Sequence, residues 1–223
     1  MKWNEEGFYI IKGDDLGMKE WFEKHYKSRF TDDIIRNRSL IKCFGNEPAV
    51  IATLCDMSKL MSSMGMAHPV IASPVITHYT SMDKTGEGYG LIYHYDAATS
   101  LDGAIVWMPV TDVTDKTHGL KIKPMNGGEV QVEMAAGDVL VFHPRMEHMT
   151  YYNPNATDYR LAISQRFDDM ESAEWDGKDF KSAYEKTFDR FIWSDADNKL
   201  EFNGGNMDEL VPDGVGGYMV KKQ

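Results

Sequence analysis

Three observations predict a mainly β protein with flanking helices. Short runs rich in β-branched and aromatic residues recur between residues 69 and 167, and turn signals containing Gly, Asn or Asp separate them. Before and after this region, apolar residues recur at helical spacing. The chain has 223 residues, of which 42% are apolar and 26% charged, so it can bury one substantial core. We therefore expect one domain over residues 1–223.

The N-terminal part, residues 1–68, is predicted to be a helical or mixed support for that core. Asp14 or Asp15 is a suitable N-cap for a first helix, and Pro48 suits the first turn of a second. The predicted buried positions are Met18, Trp21, Phe22, Tyr26 and Phe30 in the first helix, and Met57, Leu60, Met61 and Met64 in the second.

The middle part, residues 69–167, is predicted to be the β core. The expected strands are 70–79, 89–95, 104–110, 120–123, 130–134, 139–143 and 159–167. Many short strands at this spacing favour a sandwich or a barrel. In the last part, residues 168–223, Phe180, Tyr184, Phe188 and Phe191 recur at helical spacing and predict a helix that packs on the sheet.

Charge and composition exclude several classes of function. The chain carries 35 acidic and 24 basic residues, a net charge of -11, and residues 168–223 contribute 14 acids against 7 Lys and Arg. An acidic surface repels nucleic acid. No stretch resembles a membrane span, the N-terminus lacks the pattern of a signal peptide, and two cysteines cannot form a disulfide framework. We expect a cytoplasmic protein with neither nucleic acid nor membrane as partner.

A candidate metal site begins at His94 and Asp96. Alternate residues of a strand face the same side, so both side chains project together while Tyr93 points away. Downstream, the turn and strand of 137–142 precede His148. Two histidines and one carboxylate form the facial triad that holds non-haem Fe(II) with open positions. His143 follows the same strand directly and competes with His148 as the third ligand.

A candidate anion site lies on the strand 159–167. Tyr159, Leu161, Ile163 and Phe167 form its apolar face, and the opposite face carries Arg160, Ala162, Ser164 and Arg166. A buried arginine is costly unless it meets an anion, and its guanidinium fork fits a carboxylate. The alternative is an exposed edge strand whose polar face meets water.

The order of these motifs resembles the Fe(II)/2-oxoglutarate-dependent oxygenase superfamily. His94-x-Asp96 is followed by Gly137-Asp138, then by His148 ten residues after that Asp, and by Arg160 twelve residues later. Phytanoyl-CoA dioxygenase-like members are the most similar, with prolyl-4-hydroxylase-like members as near neighbours. The resemblance covers about residues 75–167.

The resemblance implies a double-stranded β-helix (jelly-roll, cupin-like) core and an oxygenase site. His94, Asp96 and His148 would hold Fe(II), Arg160 would bind the distal carboxylate of 2-oxoglutarate, and Ser164 is a weaker candidate beside it. O2 would be the oxidant, with succinate and CO2 as products. A carboxylate at Asp96 favours hydroxylation, because related halogenases have Gly or Ala there. The substrate is expected to be a small molecule or a peptide.

Two other interpretations remain open at this stage. One is a non-catalytic jelly-roll protein that binds a metal or a small acid. The other is a structural β-sandwich with an acidic, partner-binding C-terminal region. For the enzyme, the loops 81–88 and 97–102 flank the His94 strand, and one of them is predicted to act as a lid.

Overall fold

The computed structural model describes residues 1–15, 17–29, 48–71, 76–81, 93–94 and 103–169, with four short strands between 191 and 220. Within these residues there are two α-helices, Met18–His25 (α1) and Pro48–Ser63 (α2), and a 3-10 turn, Lys27–Arg29. The strands are Phe8–Ile11 (β1), Pro69–Ile71 (β2), Ile76–Thr80 (β3), Ala104–Pro109 (β4), Gly119–Lys123 (β5), Val130–Val132 (β6), Val139–Phe142 (β7), Glu147–Tyr151 (β8), Arg160–Asp169 (β9), Phe191–Ser194 (β10), Lys199–Phe202 (β11), Leu210–Pro212 (β12) and Tyr218–Val220 (β13).

Two antiparallel sheets make up the core. The larger has the order β1-β7-β4-β9-β2, with β3 also paired to β9, and the smaller has the order β6-β5-β8. An isolated bridge joins His94 to His148 and extends the smaller sheet beyond β8. The predicted mainly β class with flanking helices is confirmed.

The space between the sheets is filled by one apolar cluster. Trp107 of β4 and Phe142 of β7 belong to the same cluster as Leu120 and Ile122 of β5. These side chains face inward because each strand alternates its faces, and burial of this apolar surface holds the two sheets together. The inner face of the sandwich is therefore defined by residues from both sheets.

A second apolar cluster lies on the outer face of the larger sheet, where the helices pack. Met18 and Phe22 of α1, and Met57 and Met61 of α2, share this cluster with Leu161, Ile163 and Phe167 of β9. The predicted helix faces are thus confirmed for the described residues. Phe30 lies outside them.

The cap of α1 differs from the prediction. Gly17 is the N-cap residue, with φ +69°, and no side chain caps the helix. The carboxylate of Asp15 accepts the backbone N–H of Gly17, 3.0 Å away, so it stabilises the turn that enters the helix. Asp14 and Asp15 are therefore not the caps.

Three strand predictions are corrected. The segment 70–79 contains two strands, β2 and β3, which pair with different parts of β9. Strands β1 and β8 were not expected, because each is short and lacks clean alternation; β1 forms by pairing with β7, and β8 by pairing with β5. Tertiary pairing here overrides a weak local preference.

The described part of the C-terminal region consists of strands. Phe191 begins β10, where it stands opposite Phe202 of β11, so the predicted helix is wrong at Phe191. Backbone pairing with β11 outweighs the helical spacing there. Phe180, Tyr184 and Phe188 lie outside the described residues. Among the described helices, none has the length and apolarity needed to cross a bilayer.

Candidate active site

His94 and His148 lie side by side. Each accepts the other's backbone N–H, with N–O distances of 3.1 and 2.9 Å, and their imidazole centroids are 4.3 Å apart. Directly paired residues of antiparallel strands have their side chains on the same face. The two histidines that are 54 positions apart in the sequence therefore form one pair at the edge of the smaller sheet.

The surroundings of His148 fix its orientation. It stands opposite Ile122 of β5, on the inner face, and only 8% of it is exposed. Its Nδ1 lies 3.0 Å from the carbonyl of Met146, and its ring contacts the Phe142 ring edge-on at 5.0 Å. Because a carbonyl oxygen only accepts hydrogen bonds, Nδ1 carries the ring proton and Nε2 carries the lone pair. Metal-ligating histidines are usually oriented in this way.

The histidine pair fits a shared metal ion. Two nitrogens that each lie about 2.1 Å from one ion can be at most about 4.2 Å apart, so the rings must be neighbours, as they are here. Asp96 lies outside the described residues, and the described ones contain no group of three His, Cys, Asp or Glu that could hold a metal. The structure thus brings two of the three predicted ligands together.

Tyr93 confirms the predicted alternation beside His94. It points to the outer surface of the smaller sheet, where its hydroxyl donates to Glu129 and Lys123 Nζ lies 4.0 Å from its ring centroid. Burial and the hydrogen bond to Glu129 raise the pKa of Tyr93.

Arg160 is buried at the start of β9. It is 2% exposed, its NH1 donates to the carbonyl of Gly119 at 2.6 Å, and its NH2 donates to Thr80 Oγ1 at 3.0 Å. Its Nε meets no acceptor among the described residues, whose ion pairs do not include Arg160. Burial lowers the pKa of Arg160 to about 10, so the group remains cationic at neutral pH. A buried guanidinium with an unused donor favours an anionic ligand.

The alternative of an exposed edge strand is ruled out for this residue. β9 pairs with β4 on one side and with β2 and β3 on the other, so it is an interior strand of the larger sheet. The bond from Arg160 to Gly119 crosses to the smaller sheet, which shows that Arg160 faces inward.

Ser164 shares the inner face of β9 but has a different partner. Its hydroxyl lies 2.9 Å from His78 Nε2, and Ser164 is 6% exposed. It stands four residues beyond Arg160, which is about 13 Å along an extended strand. The two residues therefore share one face of β9 but lie at different positions along the strand.

Two other histidines have structural contacts. His143 Nδ1 accepts the backbone N–H of Arg145 at 3.0 Å, its ring packs edge-on against Trp3, and burial lowers its pKa. His118 Nδ1 accepts the backbone N–H of Asn153, which leaves Nε2–H to donate to the carbonyl of Ser81. Both contacts of His118 are with backbone groups, so it has a structural role.

The Gly137-Asp138 motif shapes a turn. Gly137 has φ +86°, and a Cβ there would lie 2.2 Å from the Asp14 carbonyl oxygen, so only glycine fits. Asp138 accepts hydrogen bonds from Lys12 Nζ at 2.6 Å and from the backbone N–H groups of Gly13 and Ala135. This motif holds the N-terminal segment against β7 and does not reach the histidine pair.

Thr80 and His78 also belong to this region, and the sequence analysis assigns no role to either. Both lie on the inner face of β3, opposite Arg160 and Ala162 of β9. The alternation of Ile76–Thr80 puts His78 and Thr80 on one face, but only the register with β9 shows that this face is the inner one. The predicted lid loops lie outside the described residues, apart from Ser81.

The comparisons with known proteins agree with this geometry. The model of the phytanoyl-CoA dioxygenase family matches residues 78–162, which run from His78 on β3 to Ala162 on β9. Among curated proteins, none matches the sequence. The family match confirms the predicted resemblance to phytanoyl-CoA dioxygenase-like proteins over these residues.

Several solved structures share the fold. EvdMO1 aligns with a TM-score of 0.57 and 17% identity over 73% of this chain and 47% of its own, so this chain spans about half its length. SnoK, an alpha-ketoglutarate-dependent carbocyclase from nogalamycin biosynthesis, aligns at 0.53 and 14% identity over 73% of this chain and 79% of its own.

EctD from S. alaskensis, solved with 2-oxoglutarate and 5-hydroxyectoine, aligns with a TM-score of 0.51 and 10% identity over 74% of this chain and 73% of its own. At these identities the likeness concerns the fold, and it confirms the double-stranded β-helix core. What the comparisons show for this chain is therefore the fold and, over residues 78–162, a likeness to the phytanoyl-CoA dioxygenase family.

Proposed function

We propose that this protein is an Fe(II)- and 2-oxoglutarate-dependent dioxygenase that hydroxylates a small-molecule or peptidyl substrate. In the balanced reaction, a C–H bond of the substrate, O2 and 2-oxoglutarate give the C–OH product, succinate and CO2. The observation that carries the proposal is Arg160, a buried cation whose Nε meets no acceptor among the described residues and which faces the same interior as the His148 ring.

His94, Asp96 and His148 are the proposed metal ligands. When bound, the iron supplies the oxygen-activating chemistry of the superfamily, while the protein holds the ligands in place. His148 does this through its Nδ1 contact with the Met146 carbonyl and its packing on Phe142. Asp96 is included because alternate residues of a strand face the same side, so its side chain would project with that of His94.

Arg160 is the proposed partner of the distal carboxylate of 2-oxoglutarate. Its NH1 binds Gly119, which stands three residues from Ile122, the residue opposite His148. Three residues of strand span about 10 Å. The carboxyl carbons of a five-carbon diacid are about 5 Å apart, and a metal–oxygen bond and a hydrogen bond add about 5 Å more. The spacing therefore suits this cosubstrate.

The apolar cluster between the two sheets would keep water from the reacting atoms. Trp107 and Phe142 line the inner face next to Ser164 and His148 and are almost fully buried. Exclusion of water strengthens every charge interaction inside such a site. A cytoplasmic location fits a chain with two cysteines, and the net charge of -11 disfavours nucleic acid as substrate.

An anaerobic titration tests the proposal. Fe(II) is added to the metal-free protein, followed by 2-oxoglutarate, while visible absorbance is recorded. We expect a charge-transfer band that needs both additions and is lost in His94→Ala, Asp96→Ala and His148→Ala.

His143→Ala is the matched control, and the band should survive in it. A band that survives in His148→Ala but is lost in His143→Ala would show that the third ligand is misassigned. A folded wild-type protein that gives no band would contradict the oxygenase and support a non-catalytic jelly-roll protein.

A further inference from the structure

Thr80 carries a hydroxyl proton that the described part of the chain leaves without an acceptor. The NH2 group of Arg160 donates to Thr80 Oγ1 at 3.0 Å, and a guanidinium can only donate, so the hydroxyl oxygen is the acceptor in this bond. The hydroxyl keeps its own proton to donate elsewhere. We propose that Thr80 is a second cosubstrate-binding residue, which donates this proton in a hydrogen bond to the distal carboxylate of 2-oxoglutarate. This inference rests on the proposed function and extends it.

Thr80 and Arg160 share one face of the larger sheet. They stand directly opposite each other on β3 and β9, and the Cβ atoms of such a pair lie about 5 Å apart on the same side of the sheet. Both residues are buried. Because Arg160 also reaches the Gly119 carbonyl of the smaller sheet, this side is the inner one. The hydroxyl and the guanidinium therefore face the same space between the sheets.

The charge of Arg160 has only neutral partners among the described residues. Its two acceptors there are the Gly119 carbonyl and the Thr80 hydroxyl, and its Nε meets none. A buried cation with neutral partners is costly, which favours an anion beside it. A carboxylate has two oxygens and accepts several hydrogen bonds at once. It can therefore accept from Arg160 Nε–H and from the Thr80 hydroxyl together.

The position of Thr80 is fixed by protein contacts alone. Thr80 is the last residue of β3, and the register with β9 holds its backbone. The carbonyl of the next residue, Ser81, lies 3.0 Å from His118 Nε2. Threonine is also branched at Cβ, which restricts its side-chain rotation. A donor that is already held in place loses little conformational freedom when a ligand binds.

Thr80 is better placed for this role than Ser164. The guanidinium of Arg160 remains near the level of its own residue, because its NH2 reaches Thr80 directly opposite. A carboxylate hydrogen-bonded to it lies about 3 Å away. Ser164 is four residues further along β9, about 13 Å in an extended strand, and its hydroxyl contacts His78. Thr80 is therefore the hydroxyl that adjoins the proposed carboxylate site.

The test compares two isosteric substitutions on β3. Thr80→Val removes the hydroxyl and keeps the shape of the side chain. Thr77→Val is the matched control on the outer face, where Thr77 Oγ1 has no hydrogen-bond partner among the described residues. Thr80→Ser keeps the hydroxyl and is the conservative variant. Affinity for 2-oxoglutarate is measured with Fe(II)-loaded protein under anaerobic conditions, by the charge-transfer band and by calorimetry.

Thr80→Val should weaken 2-oxoglutarate binding about tenfold or more, the effect of losing a hydrogen bond to a charged group. Thr80→Ser and Thr77→Val should both bind it as wild type does. Wild-type affinity in Thr80→Val, or an equal loss in Thr77→Val, would overturn the role of Thr80. Thermal unfolding shows whether each variant is folded. If Thr80→Val is not, Thr80→Ala and Thr77→Ala give the same comparison.

A second ligand locates the contact. 2-Oxopentanoate keeps the keto acid end and lacks the distal carboxylate. Thr80→Val and Arg160→Met should each weaken 2-oxoglutarate and leave the affinity for 2-oxopentanoate unchanged. If Thr80→Val weakened both ligands by the same factor, Thr80 would support the site as a whole and would not contact the distal carboxylate.

A double variant separates direct contact from support of Arg160. Thr80→Val is added to Arg160→Met, and affinity is measured at higher ligand concentrations. The second substitution should weaken 2-oxoglutarate binding further, because the hydroxyl contacts the ligand itself. Without any further loss, Thr80 would act only by holding the guanidinium, and the proposed contact would be wrong.

These outcomes distinguish the two proposals. If wild type binds no 2-oxoglutarate, or if Arg160→Met binds it normally, the proposed function is wrong. If Arg160→Met loses affinity while Thr80→Val matches Thr77→Val, the proposed function stands and only the role of Thr80 is overturned.

Discussion

The two faces of β9 are equally buried and chemically opposite. Its outer face carries Leu161, Ile163 and Phe167, which are at most 1% exposed and pack under the helices. Its inner face carries Arg160 and Ser164, which are 2% and 6% exposed. Accessibility alone would therefore not distinguish the structural face from the candidate site.

The faces differ in what each side chain needs from its surroundings. An apolar side chain is stabilised by close contact with apolar neighbours, whatever their direction, and α1 and α2 supply these neighbours. A buried polar side chain needs a partner in a particular place, and Gly119, Thr80 and His78 supply partners to the inner face. Among the described residues, Arg160 Nε has no acceptor, and this is where a ligand is expected. Four predictions test this difference between the two faces.

The largest effect is expected on the outer face. Phe167→Ala should lower the free energy of unfolding by about 3–5 kcal/mol, because it leaves a cavity in a fully buried cluster. Affinity of the folded protein for Fe(II) and 2-oxoglutarate should not change. Denaturant unfolding measures the first quantity and the anaerobic titration the second. Ile10→Ala, at an exposed position, is the control, and a loss of ligand affinity in folded Phe167→Ala would break the separation of the two faces.

The inner face should respond in the opposite way. Arg160→Met should weaken 2-oxoglutarate binding by about 2–5 kcal/mol, the effect of removing one member of a buried charge pair. The metal-free protein should be as stable as wild type or more so, because the variant no longer buries a charge that has no acidic partner among the described residues. Thermal unfolding and ligand titration check both parts. Arg145→Met on the surface is the control, and strong destabilisation of Arg160→Met would make Arg160 a structural residue.

A smaller, pH-dependent effect is expected at Asp138. Burial alone would raise the pKa of Asp138, but the hydrogen bonds from Lys12, Gly13 and Ala135 outweigh it and lower the pKa. A carboxyl with a lowered folded-state pKa stabilises the protein above its unfolded pKa of about 3.9, and this stability is lost as pH falls through the folded value.

Asp138→Asn should therefore be less stable than wild type at neutral pH, and the difference should shrink in acid. Denaturant midpoints measured from neutral pH to below about pH 4 test this. Asp112→Asn, which keeps an acceptor for the exposed N–H of Ala136, is a suitable control. A difference that stays constant with pH would show that the charge of Asp138 does not matter.

The smallest effect is expected on the outer surface of the smaller sheet. Hydrogen bonds from Lys121 and Tyr93 lower the pKa of Glu129, yet that carboxylate is exposed to solvent. Solvent and salt screen such pairs. Glu129→Gln should therefore leave the denaturation midpoint unchanged within error, at low salt and at high salt. A clear, salt-dependent loss would show that this surface contributes to stability after all.

Much of the site could be predicted from local patterns. The alternation in 93–96 and 159–167 assigns His94 and Arg160 to their faces, because a strand has a period of two wherever it lies. The spacing of Gly137-Asp138, His148 and Arg160 then indicated the superfamily. The assignment of Fe(II) to His94, Asp96 and His148 stays a prediction until metal binding is measured.

Other features could not be predicted from local patterns. Strands β1 and β8 form through partners that are distant in sequence, and Phe191 lies in a hairpin despite its helical spacing. The partners of Arg160 come from β3 and β5, which lie 80 and 41 residues away in the chain. The residues of the strand 159–167 do not themselves indicate these partners.

The fold class, the chemical type of each face and the order of the motifs follow from the amino-acid sequence alone. These depend on the periods of 3.6 and 2 and on the residue types, which are local properties of a chain. The three-dimensional structure is needed to show which face of β3 is the inner one, that His78 contacts Ser164, and that His94 and His148 are neighbours. These depend on strand register, which is set by the packing of the whole sandwich.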